Sequence, residues 1–188
     1  MKFLRENVTL KTDTPRSVDI SGECCTMLES LMLAQAQEMF YELMHSKRAA
    51  NPKALSYGVL AQVASSTAGL YTEVAEKYAK PQLVPHFDKE WAESSRVKSI
   101  LYTAEAHYMQ ALQLQPLAGA KFGEYLGHVR HADSLMKSNE RQAKQAPAGL
   151  QQQFKVCKLA CCCGLLSRGG APSLSPFSQS QSSAGGGI

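Results

Sequence analysis

The chain has 188 residues, 44% of them hydrophobic, which is enough for one domain with a sizeable core. Its net charge of +4 is too small and too dispersed to indicate a nucleic-acid-binding surface. No apolar run approaches the roughly 18 residues of a membrane-spanning helix, and the start, MKFLRENV, lacks the apolar core of a signal peptide. The sequence therefore predicts a cytoplasmic protein with free thiols.

Strand signals are nearly absent, and apolar residues recur at helical spacing along most of the chain. Residues 1–20 are predicted as the end of a short helix and a linker. Ser21 is the predicted N-cap of the first long helix, and Pro52 suits the first turn of the second. Four long helices are predicted, over residues 22–47, 53–79, 88–115 and 117–143. Their short connections predict an all-α fold of antiparallel helices in a tetratricopeptide-like array.

The C-terminal part of the chain differs in composition from the rest. Residues 146–168 are rich in cysteine and are predicted as a short helix. Residues 169–188 are a low-complexity Gly/Ser/Pro segment, for which we expect disorder. The predicted helical domain therefore spans residues 21–145.

The segment LMLAQAQEMF, residues 31–40, is rich in Leu and Met but contains two glutamines and a glutamate. A helical wheel gathers the large apolar side chains on one arc and leaves the polar side chains at its rims or on the other side. We therefore expect that arc to be the core face of the first long helix. The predicted core face contains Leu28, Met32, Leu33, Ala36, Met39, Phe40, Leu43 and Met44.

The same wheel places three residues on the opposite, outward side of this helix: Met27, Leu31 and Glu38. Two large apolar side chains one turn apart, beside a carboxylate, are typical of a helix-in-groove contact with a partner. Alternatively, another part of the same domain covers them.

Five segments carry a resemblance to a known family. In chain order they are FLREN (3–7), SVDIS (17–21), LMLAQAQEMF (31–40), KSILYTAEAHYMQAL (98–112) and KFGEYLGHVRHADSLMK (121–137). Together they resemble the Bro domain, which occurs in ALIX, in yeast Bro-type vacuolar sorting proteins and in a Bro-domain tyrosine phosphatase. The resemblance covers about residues 2–145.

The resemblance implies a banana-shaped helical domain with a tetratricopeptide-like middle. Such domains bind the C-terminal amphipathic helix of ESCRT-III subunits in endosomal and multivesicular-body sorting, so recruitment from the cytoplasm to endosomes is expected. By position the resemblance places Leu31 at the partner contact, whereas Met27 and Glu38 come from the wheel. A whole Bro domain is longer than this chain, so we expect a truncated one. The alternative is a structural helical-repeat scaffold, or an inert fragment, without ESCRT binding.

The cysteine cluster allows several chemical interpretations. Cys162 and Arg168 have the C-x₅-R spacing of cysteine phosphatases but lack the glycine-rich phosphate cradle. Four closely bunched thiolates fit a closed tetrahedral metal site poorly. Cys161, Cys162 and Cys163, beside lysines and leucines, suit S-acylation and peripheral membrane association. The remaining alternative is a segment without any site.

One further pattern concerns metal binding. Glu124, His128 and His131 share a helix face and would suit zinc, but they lack the spacing of a metalloprotease helix. The sequence therefore predicts a non-enzymatic protein without cofactor or metal. It does not indicate an oligomeric state.

Overall fold

The computed structural model describes residues 18–166, except for the side chains of Ala118 and of residues 162–166. This range contains no strand and six α-helices, which confirms the predicted all-α class. The helices are α1 (Gly22–Ala50), α2 (Tyr57–Tyr78), α3 (Lys89–Leu114), α4 (Ala118–Ser138), α5 (Glu140–Ala143) and α6 (Ala148–Leu166). The helix end predicted within residues 1–20 and the disorder predicted for residues 169–188 lie outside the described residues.

Polar caps fix where the first three helices begin. The Ser21 hydroxyl accepts a hydrogen bond from a backbone N–H in the first turn of α1, as predicted, and Asp88 does the same for α3. The prediction that the second helix starts near Pro52 is wrong. Pro52 lies in the preceding turn, and Ser56 caps α2, which begins at Tyr57.

Consecutive long helices pack side by side and run antiparallel. At one end of the α2–α3 pair, the ring centroids of Tyr78 and Trp91 lie 6.4 Å apart. At the other end, the Gly58 N–H donates to the Gln113 side chain at 3.0 Å. Helix α1 packs on α2, α4 packs on α3, and α6 folds back onto both α3 and α4. The core therefore runs along the middle of a layered helical array.

The predicted fourth helix, over residues 117–143, divides into α4 and α5. The Asn139 side chain donates to the Leu135 carbonyl at 2.9 Å, and the Asn139 N–H bonds to the carbonyls of the last turn of α4. These bonds satisfy carbonyls that would otherwise accept from the next helical turn, so α4 ends there.

Helix α6 lies within the segment 146–168, for which a short helix was predicted, and it is part of the core. Phe154, Cys157 and Cys161 are buried within the same apolar cluster as the long helices. Cys157 is buried beside the Glu105 carboxyl group, which accepts a hydrogen bond from Tyr41, so the segment packs against α1 and α3. The cysteine-rich segment therefore continues the helical array.

The predicted orientation of α1 is wrong, because the helix buries the opposite face. The expected core side chains Met32, Leu33, Met39, Phe40 and Leu43 are between 45% and 56% exposed. The residues of α1 that are buried are Cys24, Cys25, Met27, Ser30, Ala34, Glu38 and Tyr41.

The reason for this reversal lies in the neighbouring helices. Glu38 is 5% exposed, and its carboxylate accepts hydrogen bonds from Tyr71 of α2 and from Tyr102 and Lys98 of α3. A buried carboxylate with three donors avoids the cost of an unpaired buried charge. Ala34, which is fully buried, belongs to the same face. A helical wheel considers the hydrophobicity of α1 alone, so it cannot show that α2 and α3 supply hydrogen-bond partners for Glu38.

Candidate functional site

An open groove of about 480 Å³ lies between α1, α2 and α3. Leu31 is half-buried on one wall, and Trp91, 49% exposed, stands on the other. The wall and floor residues are mostly apolar, with a few polar groups at the rim. The lining consists of Leu28, Leu31, Met32, Gln35, Tyr71, Tyr78, Glu90, Trp91, Ser94, Ser95, Lys98 and Pro147.

An aromatic cluster forms the Trp91 end of the groove. The Trp91 ring meets the Tyr78 ring edge-on at an interplanar angle of 90°, and the Tyr78 and Phe87 centroids lie 5.7 Å apart. These contacts orient the indole while leaving half of it open to solvent. A rigid, half-exposed tryptophan beside aliphatic side chains is the kind of anchor that dominates helix-binding surfaces.

A polar cluster around Glu38 lies beneath the other end of the groove, where Tyr71 and Lys98 line it. The Lys98 Nζ atom is 2.7 Å from the Glu38 carboxylate and 3.2 Å from the Tyr71 hydroxyl. Tyr71 also donates to Glu38, and the Tyr102 hydroxyl donates to its other oxygen at 3.0 Å. The groove therefore rests on a set of mutually paired polar side chains that hold α1, α2 and α3 together.

Burial and the Glu38 charge govern proton binding in this cluster. Burial is the main cause that raises the pKa of Tyr71 and Tyr102, and the Glu38 carboxylate raises both further. Both tyrosines therefore remain protonated donors at neutral pH. The pKa of Glu42 is also raised, first by burial and then by Glu38, while Lys98 opposes that shift.

The structure separates the three residues that the sequence assigned to partner binding. Leu31 lines the groove and remains a candidate contact. Met27 is fully buried, and Glu38 is almost fully buried. Their predicted outward position is wrong, because α1 turns this side toward α2 and α3. Glu38 acts from beneath the groove, through Lys98 and Tyr71, rather than at a surface.

The S-acylation prediction meets a similar difficulty at one cysteine. Cys161 has no exposed surface, so its thiol is inaccessible to an acyl donor while the helix is packed. The expectation at Cys161 is therefore wrong for the folded chain. The side chains of Cys162 and Cys163 lie outside the described residues, and acylation there stays a prediction. None of the helices between residues 18 and 166 combines the length and the apolar character of a membrane-spanning segment.

Three histidines converge between α3 and α4. The Nδ1 atoms of His107 and His128 lie 2.9 Å apart, and the His107 and His131 ring centroids lie 4.4 Å apart. Glu124 instead pairs with Lys121 at 3.4 Å. In the described part of the chain no group of three His, Cys, Asp or Glu side chains is arranged to hold a metal ion. The alternative zinc interpretation therefore has no support from the geometry.

Two groove residues were missed in the sequence. Met32 was expected in the core, yet it is 54% exposed, and both Met32 and Trp91 line the groove. One signal for Trp91 was available. It lies in the first turn of α3, directly after the Asp88 cap, where neighbouring helices cover a side chain from fewer directions. No comparable signal exists for Met32, because its exposure follows from the orientation of the whole helix.

Comparison with known proteins gives consistent matches. Residues 1–161 match the family model of the BRO1-like domain. The Vacuolar-sorting protein BRO1 of Arabidopsis thaliana is 32% identical over 149 residues, which cover 78% of this chain and 17% of the relative. The ALG-2 interacting protein X of Dictyostelium discoideum is 32% identical over 150 residues, which cover 79% of this chain and 18% of the relative. Rhophilin-1 of Mus musculus is 33% identical over 158 residues, which cover 84% of this chain and 24% of the relative.

Two points follow from these matches. The chain spans a quarter or less of the length of these curated relatives. The family model continues beyond residue 145, where the resemblance found in the sequence ended, and reaches the buried Cys161 in α6. No solved structure matches the chain.

Proposed function

This chain belongs to the BRO1-like domain family, and from that premise we propose that it is a non-enzymatic scaffold that binds an amphipathic helix of an ESCRT-III subunit. The observation that carries the proposal is the open apolar groove between Leu31 and Trp91. The family resemblance supplies the ligand class, and the groove supplies a surface of suitable chemistry.

The groove has the features that helix-in-groove recognition requires. An amphipathic helix presents apolar side chains at i, i+3, i+4 and i+7 along one face. Leu31 and Met32 offer aliphatic contacts on one side of the groove, and Trp91 offers a large ring on the other. Gln35 and Glu90 lie among the polar lining residues and would meet the polar flanks of such a helix.

The polar cluster limits which part of the groove contributes affinity. Lys98 is engaged by Glu38 and by the Tyr71 hydroxyl, so an acidic ligand side chain would have to compete for it. The apolar anchors at Leu31 and Trp91 therefore carry most of the expected binding energy.

The cellular setting is part of the same proposal. Two of the matching relatives are a vacuolar-sorting protein and an ALG-2 interacting protein, and these descriptions belong to those proteins. For this chain we infer an endosomal sorting role, in which a cytoplasmic scaffold is recruited to endosomes by its ESCRT-III ligand. The inference rests on family membership together with the groove.

The test is a titration of a labelled C-terminal ESCRT-III helix into the protein, followed by fluorescence anisotropy. Leu31→Asp is the test variant. Leu159→Asp is the matched control, because Leu159 is 63% exposed on α6 and does not line the groove. Circular dichroism on each protein verifies that it is helical, and a ligand helix with polar replacements on its apolar face controls for nonspecific binding.

The expected result is saturable binding that is lost in folded Leu31→Asp and kept in Leu159→Asp. A helical wild-type protein that does not bind would overturn the proposal and leave the alternative of a structural scaffold without ESCRT binding. Equal binding by Leu31→Asp and Leu159→Asp would mean that the ligand helix contacts a surface outside the groove.

A further inference from the structure

The outward side of α1 carries an apolar face that the groove does not account for. This α1 apolar face consists of Met32, Leu33, Met39, Phe40 and Leu43, each about half exposed. Only Met32 also lines the groove. Contiguous apolar patches of this kind are rare on isolated soluble proteins and mark interaction surfaces.

The sequence of this face reads similarly in both directions. Around Ala36 the segment is Met-Leu-Ala-Gln-Ala-Gln-Glu-Met-Phe, so large apolar residues lie three and four positions away on either side. The glutamines lie one position away on each side, and Ala36 itself is exposed at the centre. We propose that the α1 apolar face binds the same face of a second copy of the chain, antiparallel, about a two-fold axis at Ala36.

The two-fold arrangement matches side chains level by level. With a rise of about 1.5 Å per residue, residues four positions before Ala36 in one copy lie level with residues four positions after it in the other. Met32 of one copy is therefore level with Phe40 of the other, and Leu33 is level with Met39. Around the helix, Leu33 and Phe40 lie on one side of Ala36, and Met32 and Met39 lie on the other. Leu33 of one copy thus packs near Phe40 of the other, and Met32 packs near Met39. The small Ala36 side chain allows the two helices to approach closely at the axis. Such self-complementarity is what a two-fold interface requires.

Charges at the two ends of the face favour the antiparallel over the parallel direction. Glu29 is exposed near one end, and Lys47 is exposed near the other. An antiparallel pair brings Glu29 of one copy toward Lys47 of its neighbour, within reach of these long side chains. A parallel pair would place like charges side by side.

The size of the face sets the expected affinity. Five half-exposed side chains and their borders would bury about 1,000 Å² in total, which is near the lower limit for a specific interface. We therefore expect a reversible dimer that dissociates on dilution. Because Met32 belongs to both surfaces, the dimer would also narrow access to the groove.

Sedimentation velocity across a wide concentration range, without any ligand helix, tests dimerisation. The expected result is a monomer that becomes a dimer as concentration rises. Phe40→Glu should weaken the association about tenfold or more. Phe122→Glu is the control, because Phe122 is similarly exposed but lies on α4. A wild-type chain that stays monomeric at its highest soluble concentration would overturn the proposal, even if the ligand helix binds in the groove.

Cysteine cross-linking tests the direction of pairing. With a mild oxidant added, Ala36→Cys should form an intermolecular disulfide readily, because the two copies of that residue face each other across the axis. Ser46→Cys is also exposed on α1, but in the antiparallel pair the two copies of residue 46 lie about 30 Å apart. The unmodified protein, with its native cysteines, gives the background. Equal cross-linking at residues 36 and 46 would overturn the antiparallel arrangement.

Discussion

The Lys98 ammonium group lies 2.7 Å from the Glu38 carboxylate and joins α3 to α1 beneath the groove. The Glu38 side chain is only 7% exposed, whereas that of Lys98 is 26% exposed. The pair therefore lies at the boundary between the core and the solvent that fills the groove. Two tyrosine hydroxyls complete the hydrogen bonding of Glu38, which makes the cluster a structural support for the surface above it.

Two Tyr→Phe substitutions should have different effects on stability, because only one of the two hydroxyls has a hydrogen-bond partner among the described residues. Tyr102→Phe removes a donor to Glu38 and should lower the free energy of unfolding by about 1–2 kcal/mol. The Tyr78 hydroxyl is buried without a hydrogen-bond partner among the described residues. Tyr78→Phe should therefore leave stability unchanged or raise it by up to about 1 kcal/mol. Urea unfolding followed by circular dichroism measures both, and equal losses would contradict the assigned network.

Phe154 should report whether α6 is part of the folded unit. This side chain is 3% exposed within the core cluster, so Phe154→Ala should cost about 3 kcal/mol of unfolding free energy. Leu159→Ala on the exposed side of α6 is the matched control and should change stability by less than about 0.5 kcal/mol. If both variants unfolded at the wild-type urea concentration, α6 would not contribute to the core.

The histidine cluster should make the fold sensitive to mild acid. Burial lowers the pKa of His107, and the neighbouring His131 and His128 lower it further. A histidine whose pKa is lower in the folded state than in the unfolded chain binds fewer protons when folded. Its contribution to stability is therefore complete above the unfolded pKa of about 6.5 and is lost as the pH falls below it.

Urea unfolding at about pH 7.5 and pH 5.5 measures this effect. His107→Gln should reduce the loss of stability between the two conditions, while His86→Gln, at an exposed histidine, should not. His45, whose pKa is lowered by burial and by Arg48, also loses its contribution to stability as the pH falls. Glu105, whose pKa is raised by burial, instead favours the folded state as the pH falls. Only the difference between the variants and the wild type therefore isolates the effect of the histidine cluster. An unchanged pH dependence in His107→Gln would contradict the assignment.

Trp91 should report directly on occupancy of the groove. It is the only tryptophan in the chain and is half exposed, so a bound apolar helix should shift its emission to shorter wavelength. The shift should follow the same saturation curve as the labelled ligand and should disappear in Leu31→Asp. Binding without any change in emission would place the ligand elsewhere. A ligand helix without tryptophan or tyrosine keeps the signal specific.

Local signals account for most of what could be predicted from the sequence. Helix starts at Ser21 and Asp88 depend on side chains within one turn, and the predicted helices match most of α1, α2 and α3. The resemblance to the Bro domain also rested on contiguous segments, and the family match confirms it.

Contacts between distant residues account for what could not be predicted. The burial of Glu38 depends on tyrosines 33 and 64 positions away, so no wheel of α1 alone contains the reason for its orientation. The exposure of Trp91 likewise depends on where α2 ends relative to α3. The family resemblance placed Leu31 at the partner contact, and in the structure Leu31 lines the groove. The helical wheel gave the same assignment, but from an orientation of α1 that the structure reverses.

The packing of Cys157 beside the Glu105 carboxyl group defines where a laboratory fragment of this protein can end. A fragment cut near residue 145 would leave the buried Glu105 carboxyl group without the cover of Cys157 and would expose the side of α3 and α4 that Phe154 and Cys161 protect. Such a fragment should be recovered mainly as aggregate. Expression boundaries placed at or beyond residue 166 would keep α6 intact and allow the groove to be studied in a stable protein.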